Sequence, residues 1–398
     1  MSGFILPKIG FIQVCMDIIK TTSALEQLCA RLSGSEFVTV DTEFMRERTY
    51  WPKLCLIQVA GEGAEAIIDP MAQGLDLAAF YDLMSNEAIL KVFHAARQDI
   101  EIFYHASGRI PHPLFDSQVA AMVCGFGDQV GYEALIRRLT GGRVDKGSRF
   151  TDWAHRPLSD KQLDYALADV THLREAYPKL KALLKENGRA HWLAEEMAVL
   201  ESPATYRTEP EDAWRRMKLR NPSKKVQGIL IELAAWRERM AQSRDIPRGR
   251  VLKDEVLMAI AAHPPRTGAE LEKIRGVSHG FSRSNIAPGL LESVERGLEL
   301  AKGDLPVIKS GKPAKPAPGA VAEMLKVVLK LVAEEHGVAA RLIASAADID
   351  HIAADDEADV PALHGWRREL YGEQALAMKR GELCLILENN RPKLIPRS

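Results

Sequence analysis

Short β-rich runs alternate with helix-like stretches from about residue 36 to residue 205, and this alternation constrains the fold more than any other feature of the chain. Three runs rich in Val, Ile and Phe follow one another, FVTVDTEF, LCLIQVA and EAIIDP, and they predict an antiparallel meander. A fourth strand is predicted at AILKVFHA, between helices at LDLAAFYDLM and RQDIEIFYHAS. Further helices are predicted at LFDSQVAAMVCGF, GYEALIRRLTG and SDKQLDYALADVTHLREAYPKLKALL. Together these elements predict an α/β or α+β domain that ends near residue 205.

The β pattern ends after Pro203, and the rest of the chain is predicted to be helical. VQGILIELAAWRERMA has apolar residues at the spacing of an amphipathic helix, and LKDEVLMAIAAH and GAELEKIRG continue the helical pattern. We therefore predict an all-helical domain over residues 207–301 and a linker rich in Pro, Gly and Lys over residues 302–320. Residues 321–398 are predicted to form a second helical unit, a degenerate copy of the first.

Charge and cysteine content narrow the class of protein. The net charge of −1 excludes a chain that is basic throughout, although it permits a local basic face. The five cysteines are widely scattered without a C-x-x-C pair, so neither a disulfide framework nor a structural zinc site is predicted. Isolated thiols of this kind are typical of the reducing cytoplasm, and no apolar stretch is long enough to span a bilayer. Met16 precedes a helix-like stretch and is a candidate translation start.

Two acids stand two residues apart in the first predicted strand. Asp41 and Glu43 leave the same face because side chains alternate along a strand. Two carboxylates on one face, about 6–7 Å apart, repel each other unless a cation compensates them. Hard divalent cations such as Mg²⁺ and Mn²⁺ prefer such oxygen ligands, whereas a solvated edge strand is the structural alternative for this pair.

A helix start marks the most specific local signal, the stretch TDWAHRPLSDKQLDYALADV. Ser159 is predicted as the N-cap and Gln162 as its capping-box partner. With the helix phase set in this way, Tyr165 and Asp169 project together from one face, where a phenol and a carboxylate can bind a metal and position a water. Asp99 lies in the first turns of another predicted helix, where acids are common because the helix dipole favours them.

These segments resemble the tyrosine-type branch of the DEDD 3′→5′ exonucleases. That branch has D-x-E in an early strand, H-x-x-x-x-D in the next segment and Y-x-x-x-D in a later helix, and all three patterns occur here in that order. The longer runs VDTEFMRERTYWPKLCLIQVA, FHAARQDIEIF and DKGSRFTDWAHRPLSDKQLDYALADV are similar to bacterial ribonuclease D proteins, from about Met16 to residue 300. No catalytic position of the family pattern is altered.

The resemblance implies an α/β, RNase H-like exonuclease domain with a mixed sheet over residues 16–205. It implies that Asp41, Glu43, Asp99 and Asp169 hold two Mg²⁺ or Mn²⁺ ions and that Tyr165 orients the attacking water. Such a pair of ions, about 3.5–4 Å apart, activates the water and stabilises the leaving oxygen. The implied substrate is RNA, with tRNA precursors as the implied natural targets, and the chain is expected to act as a cytoplasmic monomer without an obligate protein partner.

A basic segment opens the first helical domain. Between Arg207 and Lys253, Lys and Arg outnumber Asp and Glu by 13 to 6, which suits contacts with phosphates. The run from LAAWRERMA to GAELEKIRG is similar to the HRDC module, which implies nucleic-acid binding. The predicted RNA-contacting residues are Arg46, Tyr50, Arg215, Arg216, Lys218 and Lys224. Arg46 and Tyr50 fit a structural turn over the sheet equally well, and Trp214, which stands among the basic residues, fits either base stacking or a helical core.

Two other functions compete with an RNA 3′→5′ exonuclease. A 3′→5′ DNA exonuclease uses the same four acids, and selection of the 2′-hydroxyl cannot be deduced from one sequence. A catalytically silent RNA-binding protein is the second alternative, which the joint presence of all five site residues disfavours.

Overall fold

The structure, a computed structural model, describes residues 18–144, 147, 151–217, 219, 221–307 and 318–397. Met16, Lys218 and residues 308–317 of the predicted linker lie outside the described residues.

A six-stranded mixed sheet forms the centre of the first domain, and its strand order is β1-β4-β3-β2-β5-β6. β2 pairs antiparallel with β3 and β3 pairs antiparallel with β4, so the predicted meander is confirmed. β1 pairs in parallel with β4, β5 pairs in parallel with β2, and β6 pairs in parallel with β5. The strands are β1 (Ile18–Ile19), β2 (Phe37–Met45), β3 (Lys53–Gly61), β4 (Ala64–Ile68), β5 (Leu90–Phe93) and β6 (Leu114–Asp116).

Helices cover both faces of this sheet: α1 (Thr22–Leu32), α2 (Ala78–Met84), α3 (Arg97–Ser107), α4 (Ser117–Val123), α5 (Tyr132–Thr140), α6 (Asp160–Glu186) and α7 (Ala190–Leu200). The predicted capping box is confirmed, because the Ser159 side chain accepts the Gln162 N–H and the Gln162 side chain accepts the Ser159 N–H. One prediction was wrong in part. LFDSQVAAMVCGF begins with strand β6 and becomes helical only at Ser117, because three residues are too short to show an alternating pattern.

The two faces of β2 and β3 carry different side chains. Val38, Val40, Ile57 and Val59 point into the main core, all fully buried. The opposite face packs against α6, where the Thr39 hydroxyl donates to the carbonyl of Val170 at 2.8 Å. Because side chains alternate along β2, that opposite face also carries Asp41 and Glu43. The sheet and α6 therefore enclose the acids between them.

The remaining elements form two helical units. The first contains α8 (Lys224–Arg244), α9 (Arg248–Val251), α10 (Asp254–Ala262), α11 (Gly268–Leu271) and α12 (Ala287–Leu300). The second contains α13 (Gly319–His336), α14 (Ala340–Ile343), α15 (Ala346–Ala354), α16 (Gly365–Arg367), a π-helical turn at Arg368–Gly372 and α17 (Glu373–Lys379). Short 3₁₀ turns lie at Pro203–Thr205, Pro210–Arg216, Phe281–Arg283 and Pro361–Leu363.

Close packing and one unexpected hairpin distinguish these units. A Cβ atom at Gly228 of α8 would lie 2.5 Å from the Gly297 carbonyl of α12, so the two helices cross at a distance that only glycine permits.

The prediction that the second unit is helical to its end was wrong: β7 (Leu383–Glu388) and β8 (Arg391–Pro396) form an antiparallel hairpin there. None of the helices in the described part of the chain has the length and apolar content that crossing a bilayer requires.

Both helical units contact the first domain. Trp366 of the second unit stacks on Trp192 of α7 with 4.5 Å between ring centroids, and the Ala339 N–H donates to the Met122 carbonyl at 3.0 Å. On the first unit, the Asp245 side chain accepts the backbone N–H groups of Tyr50 and Trp51 at 3.0 and 2.9 Å.

Candidate active site

The acids of β2 and α6 meet at one point. Carboxylate oxygens of Asp41, Glu43 and Asp169 lie within 4.8 Å of one another, although Asp169 stands more than 120 positions further along the chain. Two ligands on opposite sides of one Mg²⁺ lie about 4.2 Å apart, since each is about 2.1 Å from the ion. This oxygen-only group therefore fits a hard divalent cation after small side-chain adjustments.

Asp99 completes a set of four acids from the adjacent helix. It lies in the first turn of α3 and is 6% exposed. Its carboxylate accepts a short hydrogen bond from the hydroxyl of Thr42, the residue between Asp41 and Glu43. Asp99 is not part of the 4.8 Å group, but it is close enough to Asp41 for the two charges to interact. The structure thus brings together all four acids that the sequence singled out.

Tyr165 lies one turn before Asp169 on α6, and its hydroxyl is hydrogen-bonded to the Asp169 carboxylate. The hydroxyl of Tyr132 in α5 donates to the backbone carbonyls of Ala168, at 3.2 Å, and of Asp169. These bonds hold the third turn of α6 in place, so α5 fixes the position from which Asp169 projects.

Burial dominates the electrostatics of the site. It raises the pKa of Asp41 well above the usual range for aspartate, and the neighbouring Asp169 carboxylate raises it further. Burial and the charge of Asp41 act in the same direction on the pKa of Asp99. The pKa of Tyr165 is also raised, first by burial and then by Asp169, so its phenol keeps its proton at neutral pH. Crowded acids with raised pKa values are the arrangement that a bound cation stabilises.

A cavity of about 450 Å³ opens beside the acids. Asp41, Tyr165 and Asp169 lie on one side of it, and His94, Gln118 and Tyr132 line other parts of its wall. His94 Nδ1 is 2.9 Å from the Ser117 hydroxyl, whereas its Nε2 is buried with no partner among the described residues.

The residues predicted to contact RNA occupy different environments. Arg215, Arg216 and Lys224 are exposed on the first helical unit, and Lys218 lies outside the described residues. Arg46 is half-exposed and makes a bidentate ion pair with Glu101 of α3 at 2.7 and 2.9 Å.

Two aromatic residues are buried instead of exposed. Tyr50 is 8% exposed and its hydroxyl donates to the fully buried Glu238 of α8, so its phenol makes a structural contact with the first helical unit and is not presented to RNA. Trp214 is 3% exposed within the core of the helical unit, which corrects the base-stacking interpretation. Both rings stabilise packing because their apolar area is withdrawn from water.

Sequence patterns gave no indication of three residues that shape the site. Thr42 lies on the strand face opposite to Asp41 and Glu43, which gave no reason to single it out, and Tyr132 was predicted only as part of a helix. His94 is the histidine of the H-x-x-x-x-D pattern, but its orphaned ring nitrogen depends on tertiary packing. No local spacing in the sequence links a Tyr or Thr to a distant acid that it supports, so the sequence gave no signal for these residues.

Two family models match the chain. The 3'-5' exonuclease model matches residues 16–185 and the HRDC domain model matches residues 226–293. The first match spans β1 to α6 and therefore all five predicted site residues; the second spans α8 to α12 of the first helical unit.

Full-length relatives and a solved structure agree with these matches. Ribonuclease D of Nitrobacter hamburgensis is 52% identical over 384 residues, which cover 96% of this chain and all of that protein. Ribonuclease D of Granulibacter bethesdensis is 49% identical over 95% of this chain and 96% of its own length. The crystal structure of Escherichia coli RNase D, described as an exoribonuclease involved in structured RNA processing, superposes with a TM-score of 0.79 at 30% identity, covering 92% of this chain and 99% of the other.

Proposed function

Since the chain belongs to the ribonuclease D family, we propose that it removes nucleotides from the 3′ ends of RNA at the site formed by Asp41, Glu43, Asp99, Tyr165 and Asp169, with tRNA precursors as its natural substrates. Three of these carboxylates converge within 4.8 Å beside an open cavity, and that single observation supports the assignment most strongly. The enzyme is a 3′→5′ exoribonuclease that depends on divalent metal ions.

We assign the acids to two cation positions. Asp41, Glu43 and Asp169 would hold one ion, and Asp41 together with Asp99 would hold the second, because Asp41 is the acid whose charge interacts with both Asp99 and Asp169. Bound Mg²⁺ or Mn²⁺ would lower the pKa of a water and stabilise the charge that develops on the phosphate and the leaving 3′ oxygen. Thr42 keeps the Asp99 carboxylate directed to the site through its hydroxyl.

Tyr165 acts by orientation. Its raised pKa keeps the phenolic proton in place at neutral pH, so the residue cannot serve as a general base there. The hydroxyl instead directs the attacking water toward the scissile phosphate, while its bond to Asp169 limits its own rotation. Tyr132 maintains this geometry by holding the backbone of α6 at Ala168 and Asp169.

The cavity gives the 3′-terminal nucleotide a place to bind. Its volume of about 450 Å³ is in the range of small-molecule sites. His94 lines its wall, and Gln118 is held there by a bond of 3.2 Å from its Nε2 to the Val130 carbonyl. These groups can form hydrogen bonds to the ribose or the base of the terminal nucleotide.

We further propose how the chain divides into domains and what each domain does. Residues 16–205 form the exonuclease domain, residues 207–301 an HRDC domain that binds nucleic acid, residues 302–320 a linker and residues 321–398 a second HRDC-like domain. The match of the HRDC model to residues 226–293 and the exposed Arg215, Arg216 and Lys224 support the binding role of the first unit.

One gel assay tests the proposal. A single-stranded RNA labelled at its 5′ end is incubated with the protein and Mg²⁺ or Mn²⁺, beside a DNA of the same sequence and a reaction that contains EDTA. We expect a ladder that shortens from the 3′ end on RNA, disappears with EDTA and is much weaker on DNA. Equal degradation of RNA and DNA would identify a general exonuclease, and no cleavage with either metal would contradict the assignment.

A further inference from the structure

Gln58 of β3 is a buried amide that none of the contacts described so far explains. Its side chain is completely shielded from solvent, yet neither its Oε1 nor its Nε2 has a hydrogen-bond partner among the described residues. A primary amide has two donor hydrogens and an acceptor oxygen, and leaving them unpaired in a protein interior costs free energy. Since most buried polar side-chain atoms in proteins are paired, an amide with both atoms orphaned needs a specific explanation.

The position of Gln58 supplies that explanation. In the antiparallel ladder between β2 and β3, Gln58 is the direct partner of Asp41. Directly opposite residues of an antiparallel pair project from the same face, with Cβ atoms about 4.5–5.5 Å apart. Gln58 therefore shares the face of the sheet that carries Asp41 and Glu43 and that α6 covers. A side chain as long as glutamine can reach a carboxylate, or a water beside it, across this distance.

The surroundings of Gln58 offer little alternative use for an amide. Its neighbour on the other side is Ile67 of β4, which is fully buried. Ile67 belongs to the small apolar cluster between the sheet and α6, together with Leu56, Leu163 and Ala166. A leucine or methionine would pack in such a cluster without the cost of an unpaired amide, so packing alone does not account for a glutamine.

We propose that Gln58 is a positioning residue for the metal site, which holds the Asp41 carboxylate, or a water bound beside it, when cations are present. Its Nε2 would donate to an oxygen of Asp41, and its Oε1 would accept from a water beside the site. In this role Gln58 touches neither RNA nor the reacting phosphate. The inference rests on the proposed function, because it requires that Asp41 be a metal ligand.

The test compares metal affinity with stability in the full-length chain. Gln58→Met removes the amide while preserving length and volume, and Gln58→Leu serves as a second apolar variant should the first not fold. Calorimetric titration with Mn²⁺ in the absence of RNA measures affinity, and thermal unfolding in EDTA measures metal-free stability. We expect Mn²⁺ binding to weaken about 10–100-fold, as is usual when a partner of a metal ligand is removed, while the metal-free melting temperature stays the same or rises.

Gln227 provides the matched control. It is a buried glutamine on α8 whose Nε2 donates to the Pro306 carbonyl at 2.7 Å, far from the acids along the chain. Gln227→Met should lower the melting temperature because it removes that bond, and it should leave Mn²⁺ affinity unchanged. This opposite pattern separates a loss of metal positioning from general destabilisation.

The outcomes separate the inference from the proposed function. If Gln58→Met binds Mn²⁺ with an affinity within twofold of the wild type and has a higher melting temperature, the inference is overturned. Gln58 is then a plain core residue. In that case the wild type would still cleave RNA and Asp41→Asn would still abolish tight Mn²⁺ binding. If instead Asp41→Asn binds Mn²⁺ like the wild type, the metal site itself is misassigned and both proposals fail.

Discussion

Tyr50→Phe should loosen the joint between the exonuclease domain and the first helical unit. The Tyr50 hydroxyl donates to Glu238 and accepts from Arg248, at 2.9 Å, and from Gln242, at 3.2 Å. Glu238 is fully buried and keeps its ion pair with Arg248 in the variant. The only interactions that the variant loses are therefore the hydrogen bonds made by the Tyr50 phenol. Because a hydrogen bond to a charged group contributes about 1.5–3 kcal/mol, we expect a loss of about 2 kcal/mol.

Two amides report on this joint directly. The backbone N–H groups of Tyr50 and Trp51 donate to the side chain of Asp245, so they exchange with solvent only when the loop separates from α8. A loss of about 2 kcal/mol raises the open population, and hence the exchange rate of both amides, about 30-fold. Native-state hydrogen exchange followed by NMR or by mass spectrometry of the peptide that contains residues 46–52 measures this rate.

Tyr81 offers the matched control for this experiment. Its ring contacts Phe80 and Phe103 in the exonuclease domain, and its hydroxyl makes no hydrogen bond among the described residues. Tyr81→Phe should leave exchange at Tyr50 and Trp51 unchanged. If Tyr50→Phe also leaves both rates within twofold of the wild type, the phenol does not hold the joint and the reasoning from its three hydrogen bonds is refuted.

Two further predictions concern stability. Lys91→Met should destabilise the protein by about 3–5 kcal/mol in urea unfolding, because the buried ammonium donates to the carbonyls of Asn86, Ile89 and His112 at 2.5, 2.7 and 2.5 Å. The variant loses all three bonds, and only the Asn86 carbonyl keeps another donor among the described residues, the Ile89 N–H at 3.2 Å; a loss below about 1 kcal/mol would contradict this prediction. Asp69→Asn should cost about 1.5–3 kcal/mol at pH 7 and progressively less as the pH falls below about 4. Burial opposes ionisation of Asp69, but the hydrogen bonds and charge of Arg156 prevail and lower its pKa, so its stabilisation is present above the unfolded-state pKa and is lost as the pH falls through the folded-state pKa. The second prediction would be refuted if the difference in unfolding free energy between the wild type and Asp69→Asn stayed constant from pH 7 to pH 2.

Local patterns predicted the elements that carry chemistry. Strand β2 follows from alternation in FVTVDTEF, and the start of α6 follows from the capping box at Ser159. Once these elements are set, the same-face rules for strands and helices place Asp41 with Glu43 and Tyr165 with Asp169. The convergence of both pairs with Asp99 was not a consequence of any local rule, and it was predicted only from the resemblance to a known family.

The features that sequence patterns missed depend on distant contacts or very short segments. Strand β6 has three residues, and its identity comes from pairing with β5. Tyr50 was ambiguous because its buried partner, Glu238, lies 188 positions further along the chain. Gln58 stands in a strand whose residues are nearly all buried, so alternation carried no information about which face holds its amide.

Cleavage by Asp169→Asn compared with Asp164→Asn tests the central claim most directly. Both changes replace one carboxylate with an amide on α6, but Asp169 lies in the acid cluster whereas Asp164 is exposed, one residue before Tyr165. Single-turnover digestion of 5′-labelled RNA with Mg²⁺ should show cleavage lowered by at least a factor of about 100 in Asp169→Asn and unchanged in Asp164→Asn, with RNA binding retained by both variants. Near wild-type cleavage by a folded Asp169→Asn variant would contradict the account, because the acid cluster would then not be the catalytic site.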